Sequence, residues 1–360
     1  MQDRLDTFVA QGRERGVQLA VYHQGKLIID AWAGTADAAG RPMDGDTLVP
    51  IFSTTKGMVS TIIHRLVERG ALTYDTPIAS VWPEFADQGK QGILLRHALT
   101  HTSGLQLMPA GVTLADVLDW DKMCAALAHA KPVSAPGEHL VYHAVTYGWL
   151  LGEVARRVTG RPFAELLRDE ICRPLGMTDI YAGIPDTVET RVALLEERFA
   201  PDAPTVPTDL GIPRDVAPAM LPLYAWMNLP AVRRACIPAS NGIASARALA
   251  RHYAALLPGG VEGVELLPPS RVRFVTRQQF ATADPRETTP HRGLGYILGT
   301  PGDYMGSRLS AFGHGGYGGS AAFADPRHQL AVGLTKNLYS PQGAQGQILH
   351  DLRKALGIPQ

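Results

Sequence analysis

Ser53 and Lys56 lie in the stretch Ile51-Phe52-Ser53-Thr54-Thr55-Lys56-Gly57-Met58, which holds the single S-x-x-K of the chain. A serine hydroxyl is a weak nucleophile until a base removes its proton. An amine serves as that base when burial and neighbouring positive charge keep it neutral. The spacing suits such a pair if a helix starts at or near Ser53, because residues three apart then lie one above the other, about 5–6 Å apart at Cβ. Val59, Ile62, Ile63, Leu66 and Val67 follow with a helical period, so Ser53 is expected at a helix N-terminus, where backbone N–H groups and the dipole favour negative charge. Four residues with two fixed arise easily by chance, so the pair gains weight only from what accompanies it.

Three further patches accompany it. Pro136-Gly137-Glu138-His139-Leu140-Val141-Tyr142-His143-Ala144 holds a tyrosine, which becomes a useful base only where a cation stabilises its phenolate, since its ordinary pKa is about 10. Phe312-Gly313-His314-Gly315-Gly316-Tyr317-Gly318-Gly319-Ser320 is a glycine-rich strand signal, and glycines let a substrate approach the backbone closely. Arg96-His97-Ala98-Leu99-Thr100-His101-Thr102-Ser103-Gly104-Leu105 ends a predicted helix in a Thr/Ser/Gly turn.

In this order and spacing the motifs resemble the serine hydrolases of the class C β-lactamase and penicillin-binding-protein-like superfamily, closest in kind to the family VIII carboxylesterases. The likeness runs from about residue 5 to residue 340 and includes the H-T-S-G-L turn and Pro174-Leu175-Gly176-Met177. It implies an acyl-enzyme on Ser53, activated by Lys56 and Tyr142. It further implies an oxyanion hole from the backbone N–H groups of Ser53 and Tyr317, with His314, Gly315 and Gly316 against the substrate. Two positions depart from the family pattern. His314 stands where K-T-G has a lysine, and Ala144 replaces the Asn or Ser of Y-x-N or Y-x-S. A histidine is mostly neutral at pH 7, and alanine offers no hydrogen bond. Both changes favour simple carboxylic esters over β-lactams or D-amino-acid peptides, which remain the alternatives together with acyl transfer from the same intermediate.

The elements that must position these residues are legible in outline. An amphipathic helix over 3–14 precedes two strands, 17–23 and 26–32, turned at Gln24-Gly25. Helices are expected over 93–99, 148–158, 163–172 and 346–356, and strands over 293–298, 308–312, 320–324 and 330–334. The proline-rich segment 200–232 reads as a long ordered loop, either lining a pocket, with Leu221, Tyr224, Trp226 and Met227 as an apolar wall for an acyl chain, or forming a plain surface Ω-loop. The pattern predicts an α+β sandwich: an antiparallel sheet built from both terminal segments (1–60 and 290–360), flanked by helices, with a mainly helical lobe over about 61–289. Residues 1–360 would form one catalytic unit.

Composition excludes several other classes. Lys+Arg and Asp+Glu balance at 34 each, so no global field recruits nucleic acid or an anionic membrane. No apolar run approaches the ~20 residues of a membrane span, and the N-terminus lacks the apolar core of a signal peptide; a cytoplasmic protein acting on a small-molecule ester or acyl substrate is expected. The three cysteines are far apart and read as reduced thiols. His97-x-x-x-His101 has helical spacing but neither the Glu of H-E-x-x-H nor a third ligand, so no metal or other cofactor is expected. Gly318-Gly319-Ser320-Ala321-Ala322 approaches G-x-S-x-G, but only 40 residues follow Ser320, too few for the acid and histidine of an α/β-hydrolase.

Overall fold

The computed structural model describes residues 1–198, 215–281, 290–300, 303–306 and 308–358. Strands β1 (Gly16–His23) and β2 (Lys26–Gly34) form the expected hairpin. Gln24 and Gly25 both take positive φ (51° and 73°), as a two-residue turn requires. The other main-sheet strands are β3 (Phe280–Ala281), β4 (His291–Arg292), β5 (Ile297–Leu298), β6 (Phe312–Gly315), β7 (Ala321–Asp325) and β8 (Leu330–Lys336). They assemble in the order β2-β1-β8-β7-β6-β5-β4-β3, antiparallel throughout. The N-terminal hairpin thus joins the C-terminal strands by pairing β1 with β8.

The two-residue alternation of the strands sorts side chains between two helical layers. Val17, Leu19 and Val21 pack with Phe323, Val332 and Leu334 against α1 (Gln2–Ala10) and the C-terminal helix Gln345–Ala355. The intervening Ala20, Tyr22, Ala322, Ala324 and Ala331 face the larger core, which contains α2 (Lys56–Glu68), α3 (Thr146–Thr159) and α4 (Ala246–Ala254). Small residues bring α4 close to the sheet: a Cβ on Gly333 would lie 2.2 Å from Ala246 O. Helix α2 is buried along nearly its whole length, with α3 packed beside it. Ser60 Oγ locks the junction, lying 2.8 Å from both Tyr147 Oη on α3 and Gly295 O in the β4–β5 turn.

Several expected boundaries move. The helix after Pro162 is α-helical only over Phe163–Leu167 and closes with a π turn, Arg168–Cys172. The strand expected at 308–312 begins instead at Phe312, where pairing with β7 overrides the weak strand preference of glycines. Of the loop expected over 200–232, residues 200–214 lie outside the described residues. The remainder carries short helices, Leu223–Met227 and Pro230–Arg234. Trp226 and Met227 are buried in the larger core, so they support the fold and offer no acyl wall.

Candidate active site

The turn that carries Ser53 is a 3₁₀ turn, Phe52–Thr55, and α2 begins only at Lys56. Ser53 therefore precedes the α-helix instead of opening it. The tighter turn serves the pair well, because residues three apart eclipse in 3₁₀ geometry. Phe52, immediately before the serine, takes the left-handed φ of 45°, a conformation that costs energy for a non-glycine residue. Surrounding structure holds it there. Ile51 N donates to Gly242 O at 2.8 Å and Gly242 N donates to Thr55 Oγ1 at 3.0 Å, tying the turn to a small three-stranded sheet.

Lys56 is fully buried, and its Nζ lies 2.9 Å from Ser53 Oγ, 2.7 Å from Ala144 O and 3.0 Å from Ala239 O. Burial, and secondarily the Arg292 guanidinium, pushes its pKa well below the ordinary lysine value. Ala144 departs from the motif only in its side chain; its carbonyl orients the amine. Tyr142 lies with its ring centroid 4.8 Å from Lys56 Nζ and 5.4 Å from Arg292 Cζ.

The segment bearing Tyr142 is fixed by the H-T-S-G turn. His101, at φ 60°, accepts at Nδ1 from His143 N–H (3.0 Å) and at its carbonyl from Val141 N–H (3.0 Å). Its ring packs 4.9 Å from that of Tyr142. His143 Nδ1 donates to Val141 O at 2.7 Å, so its Nε2 accepts from the Ser103 hydroxyl at 2.7 Å. Both histidines of the helical-spacing pair thus serve the backbone, since His97 Nδ1 accepts from Leu94 N–H. Among the described residues no cluster of three or more His, Cys, Asp or Glu could hold a metal.

The third motif reaches the nucleophile turn through Gly316. A Cβ there would fall 2.1 Å from Ile51 O, an approach open only to glycine. Strand β5 pairs with β6 only at Phe312 and Gly313, so His314, Gly315 and Gly316 run past the end of that pairing. Tyr317 follows, its ring 5.4 Å from that of Phe52 and its hydroxyl donating to Glu197 at 2.9 Å. The structure thereby brings the Ser53 and Tyr317 segments together. His314 is buried; its Nδ1 donates to Gly315 O at 2.6 Å, and its ring lies 6.1 Å from Tyr142. Burial, then the basic neighbours Lys56 and Arg292, depresses its pKa well below the ordinary value and keeps the imidazole neutral.

Ser320 is a clamp between the two segments. Its hydroxyl donates to Ile51 O at 2.8 Å and lies 3.1 Å from Thr54 Oγ1, buried away from solvent. A cleft of about 360 Å³ borders the site along Gly316, Tyr317 and Tyr339. The larger cleft, about 590 Å³ between Arg41 and Arg191, contains none of these residues and plays no part in the chemistry described. Sequence reasoning missed Arg292, the Ala239 carbonyl and the positioning work of His101 and Ser103.

An antiparallel sheet between helical layers, with a serine on a 3₁₀ turn and a buried lysine opening the helix that follows it, defines a serine hydrolase of the β-lactamase fold. The Beta-lactamase family profile matches residues 1–355, and the chain belongs to that family. It is 36% identical over 356 residues to Esterase/beta-lactamase LipL of Mycobacterium tuberculosis, covering 91% of this chain and 78% of the relative. Among solved structures it is similar to a family VIII carboxylesterase, with 32% identity, a TM-score of 0.85, and coverage of 96% of this chain and 95% of that one. A penicillin-binding protein homologue from Caulobacter crescentus shares 34% identity, with a TM-score of 0.80 over 97% of this chain and 95% of the other. No helix among the described residues is long and apolar enough to cross a membrane.

Proposed function

We propose that the whole chain works as one carboxylesterase that cleaves small-molecule esters through an acyl-enzyme on Ser53. The observation that carries this reading is the environment of Lys56 Nζ. A neutral amine has two N–H donors and one lone pair. Two carbonyls, Ala144 O and Ala239 O, take the donors, and the lone pair is left for Ser53 Oγ at 2.9 Å. Ser53 Oγ then attacks the ester carbonyl as its proton passes to Lys56, with Tyr142 sharing the proton. Negative charge on the carbonyl oxygen meets the N–H groups of Ser53 and Tyr317. The alkoxide leaves with the proton as an alcohol, and water attacks the acyl-enzyme by the reverse path.

The ester preference rests on a neutral His314 in place of a lysine, on Ala144, and on the esterase names of the relatives. A charge-assisted hydrogen bond contributes roughly 1.5–3 kcal/mol, so its loss weakens carboxylate-bearing substrates by about one to two orders of magnitude. Purified protein should therefore show higher kcat/KM on p-nitrophenyl butyrate than on nitrocefin or D-Ala-p-nitroanilide. A value for nitrocefin equal to or above that for the ester would overturn the ester reading.

A further inference from the structure

We propose that Arg292 is the fixed cation of this site, a buried positioning charge that holds Lys56 and Tyr142 in their active protonation state. The inference rests on the reading of Lys56 and Tyr142 as the activating pair. Arg292 comes from β4, three strands away from the β7 that pairs with the motif strand, and is 2% exposed. Its guanidinium carbon sits 5.4 Å from the Tyr142 ring centroid, and Lys56 Nζ sits 4.8 Å from the same centroid. One phenol ring is therefore shared by two basic side chains from two different elements.

The placement of Arg292 is built, not incidental. The turn that follows it is pinned on several sides: Leu294 N–H donates to Val275 O at 2.7 Å, Gly295 N–H donates to Leu99 O at 3.1 Å, and Gly295 O meets Ser60 Oγ. Ser60 lies on α2, one turn beyond Lys56, so the element carrying the guanidinium is registered against the one carrying the amine. Arginine suits this post because it stays protonated at any working pH, whereas a buried lysine loses its charge. A positive charge here opposes protonation of Lys56 and favours negative charge on a neighbouring phenol.

The other titratable groups around the pair do not supply that charge. His101 and His314 are pushed well below the ordinary histidine pKa, burial first in each case, and His143 down to about 4, so none is a cation at neutral pH. Tyr147 and Tyr304 are pushed up by burial and stay neutral phenols. Of the basic groups described around Tyr142, the one that is cationic by residue type is the Arg292 guanidinium.

The test is the pH dependence of p-nitrophenyl butyrate hydrolysis by native protein, Arg292→Met and Arg292→Lys. Loss of the charge should shift the acid limb of kcat/KM upward by about one to two pH units, lowering activity by about 10–100-fold at pH values on that limb, carried by kcat with KM little changed. Arg292→Lys, whose amine loses its charge when buried, should move the limb in the same direction. An unmoved limb in folded Arg292→Met would overturn the proposal, as would a defect expressed in KM. If Arg292→Met fails to fold, Arg292→Gln decides: a limb shifted upward supports the proposal, and a native limb overturns it. A phosphonate label on native protein separates the two layers. Absence of label from Ser53 sinks the underlying reading, while a label on Ser53 with an unmoved limb sinks only the role of Arg292.

Discussion

A buried lysine whose contacts are two carbonyls and a hydroxyl is poorly placed to be an ammonium, because a buried charge needs a compensating charge to offset lost hydration. The same contacts suit a neutral amine. In the proposed mechanism Lys56 is a base by environment, and Tyr142, its ring centroid 4.8 Å from the amine, is its partner in handling one proton. Groups that share a proton act as a unit, so their losses should not add. Lys56→Met and Tyr142→Phe should each lower kcat on a short ester by on the order of 10²–10⁴. The double variant should be little worse than the poorer single one. Steady-state kinetics on the four proteins closes this cycle, and losses that add in log kcat would mean independent roles.

At the scale of elements, the site depends on three segments converging on one 3₁₀ turn. The small sheet holds it through Gly242, the motif strand crosses it at Gly316, and Ser320 joins strand to turn. Ser320 is a structural serine in this arrangement, despite its G-x-S-x-G-like setting. Ser320→Ala removes a buried hydrogen bond and should cost about 1 kcal/mol of stability, read as a lower urea midpoint with unchanged slope. Turnover of p-nitrophenyl butyrate should persist at a reduced rate. Abolished turnover in a folded, equally stable variant would show that the clamp is misread.

At the scale of the molecule, what was legible in the sequence follows from how local each signal is. The hairpin at Gln24-Gly25, the terminal helices and the sheet joining both ends were readable from period and turn chemistry alone. Ser53 and Lys56 were readable as candidates from residue type and spacing, and Tyr142 and His314 from resemblance to the family's motifs. Arg292 was not, because nothing in Pro290-His291-Arg292-Gly293 distinguishes it from a surface arginine until strand pairing carries it to Tyr142. The start of β6 at Phe312 was likewise set by its partner strand, against the local preference of its glycines. His101 carried a motif but no visible purpose, since its bonds reach residues about 40 positions away.

The claim on which the rest depends is that Ser53 is the nucleophile. It is tested most directly by intact-mass spectrometry and peptide mapping after reaction with a fluorophosphonate. The account predicts a single adduct on Ser53 in the native protein, retained in Ser320→Ala, and none in Ser53→Ala, which should also lose ester turnover. An adduct on Ser320 or any other serine, or a folded Ser53→Ala variant that still forms the adduct, would contradict it.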